Sequence, residues 1–155
     1  MMGRKISDPY NSEGGGSIEG MGLLECETVF AEEKHQTRVS GKFSEAGGFF
    51  GCLSGADFYG YEIHMGETSD SGSSLTDRGG SFSGDAAGCY IHGIFDSADV
   101  SGRIVRKLFE KKGLEYNGGS ISREKYLDGQ FDLLADSIRK SIDMNKIYRI
   151  IKEGI

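Results

Sequence analysis

Basic residues are in the minority in this chain, and it has no tryptophan and no long apolar run. Lysine and arginine number 18 against 24 aspartate and glutamate residues, so the formal net charge is −6 at pH 7. A phosphate backbone attracts a positively charged surface, and the composition therefore gives no support to a nucleic-acid partner. No run of about 18 apolar residues occurs, so we expect no membrane-spanning helix.

Cysteine and proline are also scarce, with three cysteines and one proline. The cysteines are Cys26, Cys52 and Cys89. Their odd number and the lack of Cys-x-x-Cys spacing argue against a disulfide framework or a zinc site, and reduced thiols are typical of a cytoplasmic protein. His35, His64 and His92 share no metal-ligand spacing, so we predict no metal site. No Gly-x-x-x-x-Gly-Lys-Ser/Thr loop is present to bind ATP.

Glycine, by contrast, is abundant, and its 25 residues cluster between segments of regular pattern. The patterns predict strands over residues 22–30, 37–43, 60–66 and 87–94, helices over residues 1–7, 97–112, 122–142 and 144–152, and polar loops over residues 10–20 and 68–84. Residues 37–43 are expected to pair with residues 22–30. Asp96 is expected to cap the second helix, and the apolar stripes of the helices are expected to be core contacts. This order of elements predicts an α/β fold with a mixed sheet.

Residues 88–96 contain the histidine that bears most directly on function. His92 ends a short apolar strand and precedes Gly93, with a helix start close behind. An α/β enzyme places a proton-transfer group at such a position, because the strand fixes the ring and the glycine lets a substrate approach. A purely structural histidine is the alternative, and these residues alone do not decide between the two.

A second histidine, His64, lies on a strand with clean alternation. Tyr61, Ile63 and Met65 are predicted to face one side, and Glu62 and His64 the other. A carboxylate and an imidazole two residues apart on one strand face can form a hydrogen-bonded pair. Such a pair is either structural or orients a catalytic group.

A histidine base requires a nucleophile within hydrogen-bond reach, and the three thiols are poor candidates. Cys26 is predicted to lie in the middle of a strand. Cys89 is three residues before His92 on the same strand, so its side chain is expected on the opposite face. Cys52 lies in a glycine-rich loop and is the least unfavourable of the three. We expect all three to be small buried side chains or unreactive thiols.

Two strings of residues carry a resemblance to a known family. These are Gly-Tyr-Glu-Ile-His-Met-Gly at residues 60–66 and Tyr-Ile-His-Gly-Ile-Phe-Asp at residues 90–96, with further likeness at residues 20–24, 27–30 and 131–136. In this order they resemble the C-terminal class I glutamine amidotransferase domain of cobyric acid synthases. The resemblance covers nearly the whole chain and implies the C-terminal part of a flavodoxin-like α/β domain with a mixed sheet.

The resemblance also implies an activity and its partners. Such a domain releases ammonia from glutamine. An N-terminal synthetase domain, which uses ATP and Mg, then amidates carboxylates of adenosylcobyrinic acid a,c-diamide during cobalamin biosynthesis. We expect residues 1–155 to form only part of the amidotransferase domain, with no cofactor of its own. Glutamine, a corrinoid and a synthetase domain or chain are the partners that the resemblance implies.

His92 matches the histidine of that family that deprotonates the nucleophilic cysteine. Glu62, His64 and Tyr90 are candidates to line the site, without a catalytic role. The family's cysteine lies in a Cys-Gly-Gly-Tyr-Gln elbow just before the equivalent of residues 1–6. The resemblance therefore implies that the chain contains no nucleophile cysteine and is inactive alone.

Two alternatives to this hypothesis remain open. One is a non-catalytic binding or regulatory module that keeps the amidotransferase fold and partners a separate synthetase chain. The other is a related amidotransferase that acts on a different carboxylate, against which the string at residues 60–66 argues.

Overall fold

The computed structural model describes residues 1–69 and 73–154, and the chain divides into two compact units, Met1–Ser120 and Ile121–Ile155. The strands of the described residues are β1 (Lys5–Asp8), β2 (Gly16–Glu19), β3 (Glu27–Val29), β4 (His35–Lys42), β5 (Asp57–His64), β6 (Glu67–Ser69), β7 (Ser74–Thr76), β8 (Gly79–Ser83), β9 (Ala86–Gly88) and β10 (Ile91–His92). The helices are α1 (Ala98–Lys111), α2 (Arg123–Ser141) and α3 (Met144–Glu153), with a 3₁₀ helix at Gly48–Leu53. The predicted α/β class is confirmed.

The first sheet has the strand order β2-β1-β3-β6, with β1 and β3 parallel and the other pairs antiparallel. The predicted helix over residues 1–7 is wrong, because β1 pairs on both sides and its backbone groups are satisfied by the sheet. The predicted loop over residues 10–20 likewise contains β2. Of the predicted strand over residues 22–30 only β3 forms. The face predicted for it is nevertheless buried at Leu24, Cys26 and Thr28.

The second sheet has the order β10-β5-β4, and both pairs are antiparallel. The β4–β5 ladder is the longest of the described residues, with eight residue pairs. β4 confirms the strand predicted at residues 37–43, but its predicted partner is wrong, since it pairs with β5. The rings of Phe43 and Phe58, near one end of this ladder, pack edge to face with centroids 5.6 Å apart in the core. Burial of these two rings favours the observed pairing.

The third sheet joins β7, β8 and β9 and replaces most of a predicted loop. The sequence over residues 68–84 was expected to be polar and exposed, and residues 70–72 lie outside the described residues. For the described residues of this segment the prediction is wrong, because Leu75, Thr76 and Ser81 are buried in the short strands. The single strand predicted at residues 87–94 is split into β9 and β10, which belong to different sheets.

The core of the first unit is formed by side chains from the second and third sheets, the 3₁₀ helix and α1. Its buried members are Phe43, Leu53, Ala56, Phe58, Leu75, Ile91, Ile94 and Val100. The predicted apolar stripe of α1, Val100, Ile104 and Leu108, contributes to this core only in part. Val100 is fully buried, Ile104 is partly buried and Leu108 is 45% exposed. As predicted, Gly113 follows the end of this helix, with a left-handed φ of 68°.

The second unit confirms the positions of the last two predicted helices. Ser122 and Asp143 cap them, because each side chain accepts a hydrogen bond from a backbone N–H three residues ahead. The expectation that their stripes are core contacts is wrong for the described residues 121–154. No residue of α2 or α3 is buried, and Phe131 is 63% exposed. No helix in the described part of the chain is long and apolar enough to span a bilayer.

The Asp8 carboxylate organises the loop between β1 and β2. It is only 7% exposed and accepts hydrogen bonds from the backbone N–H groups of Ser12 (2.9 Å), Glu13 (2.7 Å) and Gly15 (2.9 Å). Burial acts to raise the pKa of Asp8, but the backbone hydrogen bonds outweigh it, so the pKa lies below its ordinary value of 3.8. The ionised carboxylate therefore stabilises this loop.

Candidate active site

His92 ends β10, the two-residue edge strand of the second sheet. Antiparallel pairing places Ile91 opposite Glu62 and His92 opposite Tyr61. Ile91 is 6% exposed and lies in the core, whereas His92, the next residue, lies on the other face and is exposed. The buried isoleucine therefore anchors the strand and directs the imidazole outward.

Gly93 turns the chain away from the sheet directly after His92. Its φ of 79° lies in the left-handed region, which glycine adopts without steric penalty. The N–H of Asp96 donates to the carbonyl of Gly93 at 2.9 Å and closes a tight turn. The predicted order of strand, histidine, glycine and helix is confirmed. The predicted cap is wrong, because Asp96 lies in this turn and Ser97 is the N-cap residue of α1.

Two further residues share the face of His92, and the sequence patterns did not single them out. Tyr61 lies opposite His92, and Arg38 of β4 lies opposite Tyr61. Side chains of directly opposed residues stand on the same face of a sheet, so the three form one lateral row. The guanidinium carbon of Arg38 is 5.6 Å from the ring centroid of Tyr61, within the range of a cation–π contact. Register thus brings a cation, a phenol and an imidazole together on an exposed face.

Glu62 and His64 lie on the opposite face of β5 from Tyr61, so the structure does not bring them together with His92. The two side chains of the predicted pair lie close together, with Nε2 of His64 3.3 Å from Oε1 of Glu62. Nδ1 of His64 lies 2.6 Å from the carbonyl oxygen of Gly66 and donates to it, since a carbonyl only accepts. These contacts on both ring nitrogens fix the His64 imidazole at the end of β5.

Tyr90 belongs to the same face as this pair. Its ring stacks on His64 with centroids 5.1 Å apart. Its hydroxyl lies 2.6 Å from Oγ1 of Thr68 and 3.3 Å from Oγ1 of Thr28, and the two threonine oxygens are 2.8 Å apart. This hydroxyl cluster ties the segment before β10 to the first sheet, because Thr28 lies on β3 and Thr68 on β6.

Two cavities flank this part of the first unit. One has a volume of about 570 Å³ and is lined in part by Glu62, His64 and Tyr90. Among the described residues, His92 does not line it. The other, of about 990 Å³, is mostly apolar and includes residues 93–96, which directly follow His92. The three candidate lining residues thus share a cavity with one another on the face away from the imidazole.

The surroundings of Cys52 and Cys89 do not activate these thiols, and Cys26 is buried. Burial raises the pKa of Cys52 and Cys89 above the ordinary value of 9.0. The Sγ of Cys89 lies 3.9 Å from the carbonyl oxygen of Ile91, to which it donates weakly. A raised pKa lowers the thiolate fraction, and thiolate is the nucleophile. Residues 1–69 and 73–154 contain no cluster of three or more ligand side chains that could hold a metal.

Comparison with known proteins identifies the same relatives from the sequence as a whole. The model of the CobB/CobQ-like glutamine amidotransferase domain matches residues 1–100. The cobyric acid synthase of Ruminiclostridium cellulolyticum is 42% identical over 170 residues, which cover 100% of this chain and 33% of the relative. That of Lachnoclostridium phytofermentans is 36% identical over 176 residues, covering 100% and 34%. The probable cobyric acid synthase of Methanococcoides burtonii is 41% identical over 155 residues, covering 97% and 30%.

The chain spans about a third of the length of these relatives. The residues that the domain model matches include both strings of the resemblance, at residues 60–66 and 90–96. The α/β fold and the strand-end histidine agree with the same assignment. The chain therefore belongs to the family of CobB/CobQ-like glutamine amidotransferase domains.

Proposed function

We propose that this chain carries the histidine half of a Cys–His site that releases ammonia from glutamine. The observation that carries the proposal is the exposed row of Arg38, Tyr61 and His92 across three strands. A general base must be reachable by its substrate, and His92 ends a strand whose other residue is buried. The strand thus supplies rigidity, and the exposed face supplies access.

His92 acts in this proposal as a proton carrier for a thiol. The imidazole takes the thiol proton, and the thiolate attacks the amide carbon of glutamine. The C–N bond breaks, the imidazole returns the proton to the leaving nitrogen, and ammonia departs from a thioester. Water then attacks the thioester with His92 as its base, which releases glutamate and restores the thiol.

The thiol is proposed to come from a segment or chain outside residues 1–155. Two observations support this: Cys26 is buried, where a substrate cannot reach it, and the raised pKa of Cys52 and Cys89 lowers their thiolate fraction near neutral pH. The chain by itself is then expected to hydrolyse no glutamine. No carboxylate directly follows His92, where the sequence has Gly93 and Ile94.

Arg38 is proposed to bind the carboxylate of glutamine. Its guanidinium carbon lies 5.6 Å from the ring centroid of Tyr61, a residue of the strand between β4 and β10. Three adjacent strands span about 10 Å, since neighbouring strands are about 4.8 Å apart. An arginine side chain is long enough to cover much of this distance, and its planar fork matches a carboxylate. Glu62, His64 and Tyr90 are assigned a supporting role on the other face.

In the whole protein, the ammonia is proposed to amidate carboxylates of a corrinoid, as in a cobyric acid synthase. This step would need a synthetase domain with ATP and Mg, which would be a partner of this domain. The cytoplasm, where thiols stay reduced, is the proposed compartment. The names of the curated relatives support this proposal over a non-catalytic module.

A chimera tests the proposal directly. This chain would replace the matching third of the Ruminiclostridium cellulolyticum cobyric acid synthase, and glutamate release and amidated corrinoid would be measured with glutamine or with ammonia. His92→Gln is expected to lower glutamine-dependent amidation by about 10²–10⁴-fold and to leave ammonia-dependent amidation unchanged. His35→Gln is the control, because His35 is exposed and lies opposite His64, on the other face of the sheet from His92.

Two outcomes would refute the proposal. If the chimera amidates with ammonia but never with glutamine, the chain is a non-catalytic module. If His92→Gln reduces both reactions equally, His92 supports the structure of the whole enzyme and does not act as the base.

A further inference from the structure

The central glycine of β5 lies where β10 approaches most closely. A Cβ atom at Gly60 would collide with the carbonyl oxygen of His92 and would lie 2.8 Å from Cγ2 of Ile91. A Cβ on Gly93 would lie 4.0 Å from the Cα of Gly60. Gly60 has no left-handed φ, so the requirement for glycine here is one of space alone.

The two neighbours of β5 differ greatly in how firmly they are held. β4 pairs with β5 over eight residue pairs, including Val39 opposite Gly60. β10 pairs over only two, Ile91 with Glu62 and His92 with Tyr61. A side chain at position 60 would therefore displace β10 and leave the β4–β5 ladder in place.

From this geometry we infer that Gly60 is a positioning residue for His92. The inference rests on the proposed function, since it concerns the placement of the proposed base. The bare backbone at position 60 lets the His92 carbonyl lie against β5, and this contact sets how far the imidazole stands from Tyr61 and Arg38. Gly93 also helps to place His92, because its left-handed turn begins directly after the contact between the His92 carbonyl and Gly60.

Relief of the collision requires a shift of β10 of about 1 Å, and a misplacement of that size can lower a rate about 100-fold. The shift moves the base relative to the thiol and the amide carbon. It leaves Arg38 and Tyr61 on the β4–β5 ladder unchanged, so substrate binding persists. A loss of kcat without a change in KM is the signature of this arrangement.

The test is Gly60→Ala in the chimera, with glutamine hydrolysis measured as kcat and KM. We expect kcat to fall about 100-fold and KM to stay within about twofold. Ammonia-dependent amidation is expected to be unchanged. The control is Gly47→Ala, because Gly47 has φ −94° and a Cβ there meets no atom within 4 Å.

Each other outcome overturns the inference. An unchanged kcat means that β5 or β10 accommodates the methyl group without moving His92. A raised KM at constant kcat places the effect on substrate binding. Loss of the cooperative thermal transition of the variant means that Gly60 supports the whole unit. His92→Gln in parallel separates the two proposals, because a fully active His92→Gln refutes the base itself, whatever Gly60→Ala does.

Discussion

Glu62 and His92 lie on neighbouring strands of one sheet, and their side chains project from opposite faces. The cause is register: Glu62 pairs with Ile91, and His92 pairs with Tyr61 one step along. A one-residue offset reverses the face of a side chain, because strand side chains alternate. Each of the two polar motifs, at residues 60–66 and 90–96, thus contributes to both surfaces: Tyr61 and His92 lie on one face, and Glu62 and Tyr90 on the other.

The first prediction follows from this offset. Glu62→Gln removes the carboxylate from His64 but leaves the face of His92 untouched. In the chimera, its glutamine turnover is expected to stay within about twofold of wild type, with stability lower by about 0.5 kcal/mol. Steady-state kinetics and urea unfolding measure the two quantities. A 10-fold lower kcat in a variant of unchanged stability would place Glu62 in the catalytic site after all.

The second prediction concerns the cation of the row. Arg38→Met keeps much of the packing on Tyr61 and removes the charge. Loss of a charged hydrogen bond to substrate costs about 1.5–3 kcal/mol, so the KM for glutamine is expected to rise about 10–100-fold, with little change in ammonia-dependent amidation. Lys42→Met is the matched control, because Lys42 lies on the same face at the far end of β4 and pairs with Asp57. Equal effects of the two changes would argue against a specific carboxylate contact.

The third prediction is a pH dependence of stability set by Asp8. Its folded-state pKa lies below 3.8, so the ionised carboxylate stabilises the fold above that value and the contribution is lost as pH falls through the lower pKa. Asp8→Asn should therefore be less stable than wild type at pH 7, and the difference should shrink as the pH is lowered below 3.8. Urea unfolding of both proteins across this range measures it. Asp128→Asn, at an exposed helical position, should show no such difference.

The fourth prediction separates the thiols of this chain from the nucleophile. Because burial raises the pKa of Cys52 and Cys89, iodoacetamide should alkylate them more slowly at pH 7 than it alkylates an unstructured cysteine peptide. The rate should rise as pH approaches and passes 9. In the chimera, Cys52→Ser and Cys89→Ser should retain glutamine hydrolysis. Loss of activity in a serine variant with an unchanged urea unfolding midpoint would identify that residue as the nucleophile.

The sequence was most informative where a pattern is local. The periodicity of residues 122–142 and 144–152 predicted α2 and α3, because a helix satisfies its backbone from within the segment. The alternation over residues 60–66 predicted the Glu62–His64 pair for a similar reason, since two residues of one strand need no partner strand to share a face. Residue identity alone also marked His92 as the end of a strand, followed by Gly93 and a helix start.

Local pattern failed where pairing decided the structure. Residues 5–8 form a strand because β2 and β3 lie on either side of them, and short polar segments such as β7 and β8 are strands only because the chain returns to pair with them. The sequence of a single segment does not show which strand will pair with it. Whether a side chain is buried or exposed is equally invisible in a local pattern. Phe131 on α2 is exposed although its helix has an apolar stripe.

The sequence by itself determined the family, the strand-end histidine and the carboxylate–imidazole pair, because these depend on residue identity and on spacing within one segment. Only the tertiary structure decided that Arg38 and Tyr61 stand beside His92, that Glu62 and His64 face away from it, and that Gly60 lets β10 approach. Each of these depends on which residue of one strand faces which residue of the next. That register arises from contacts between segments distant in the chain, which no local periodicity encodes.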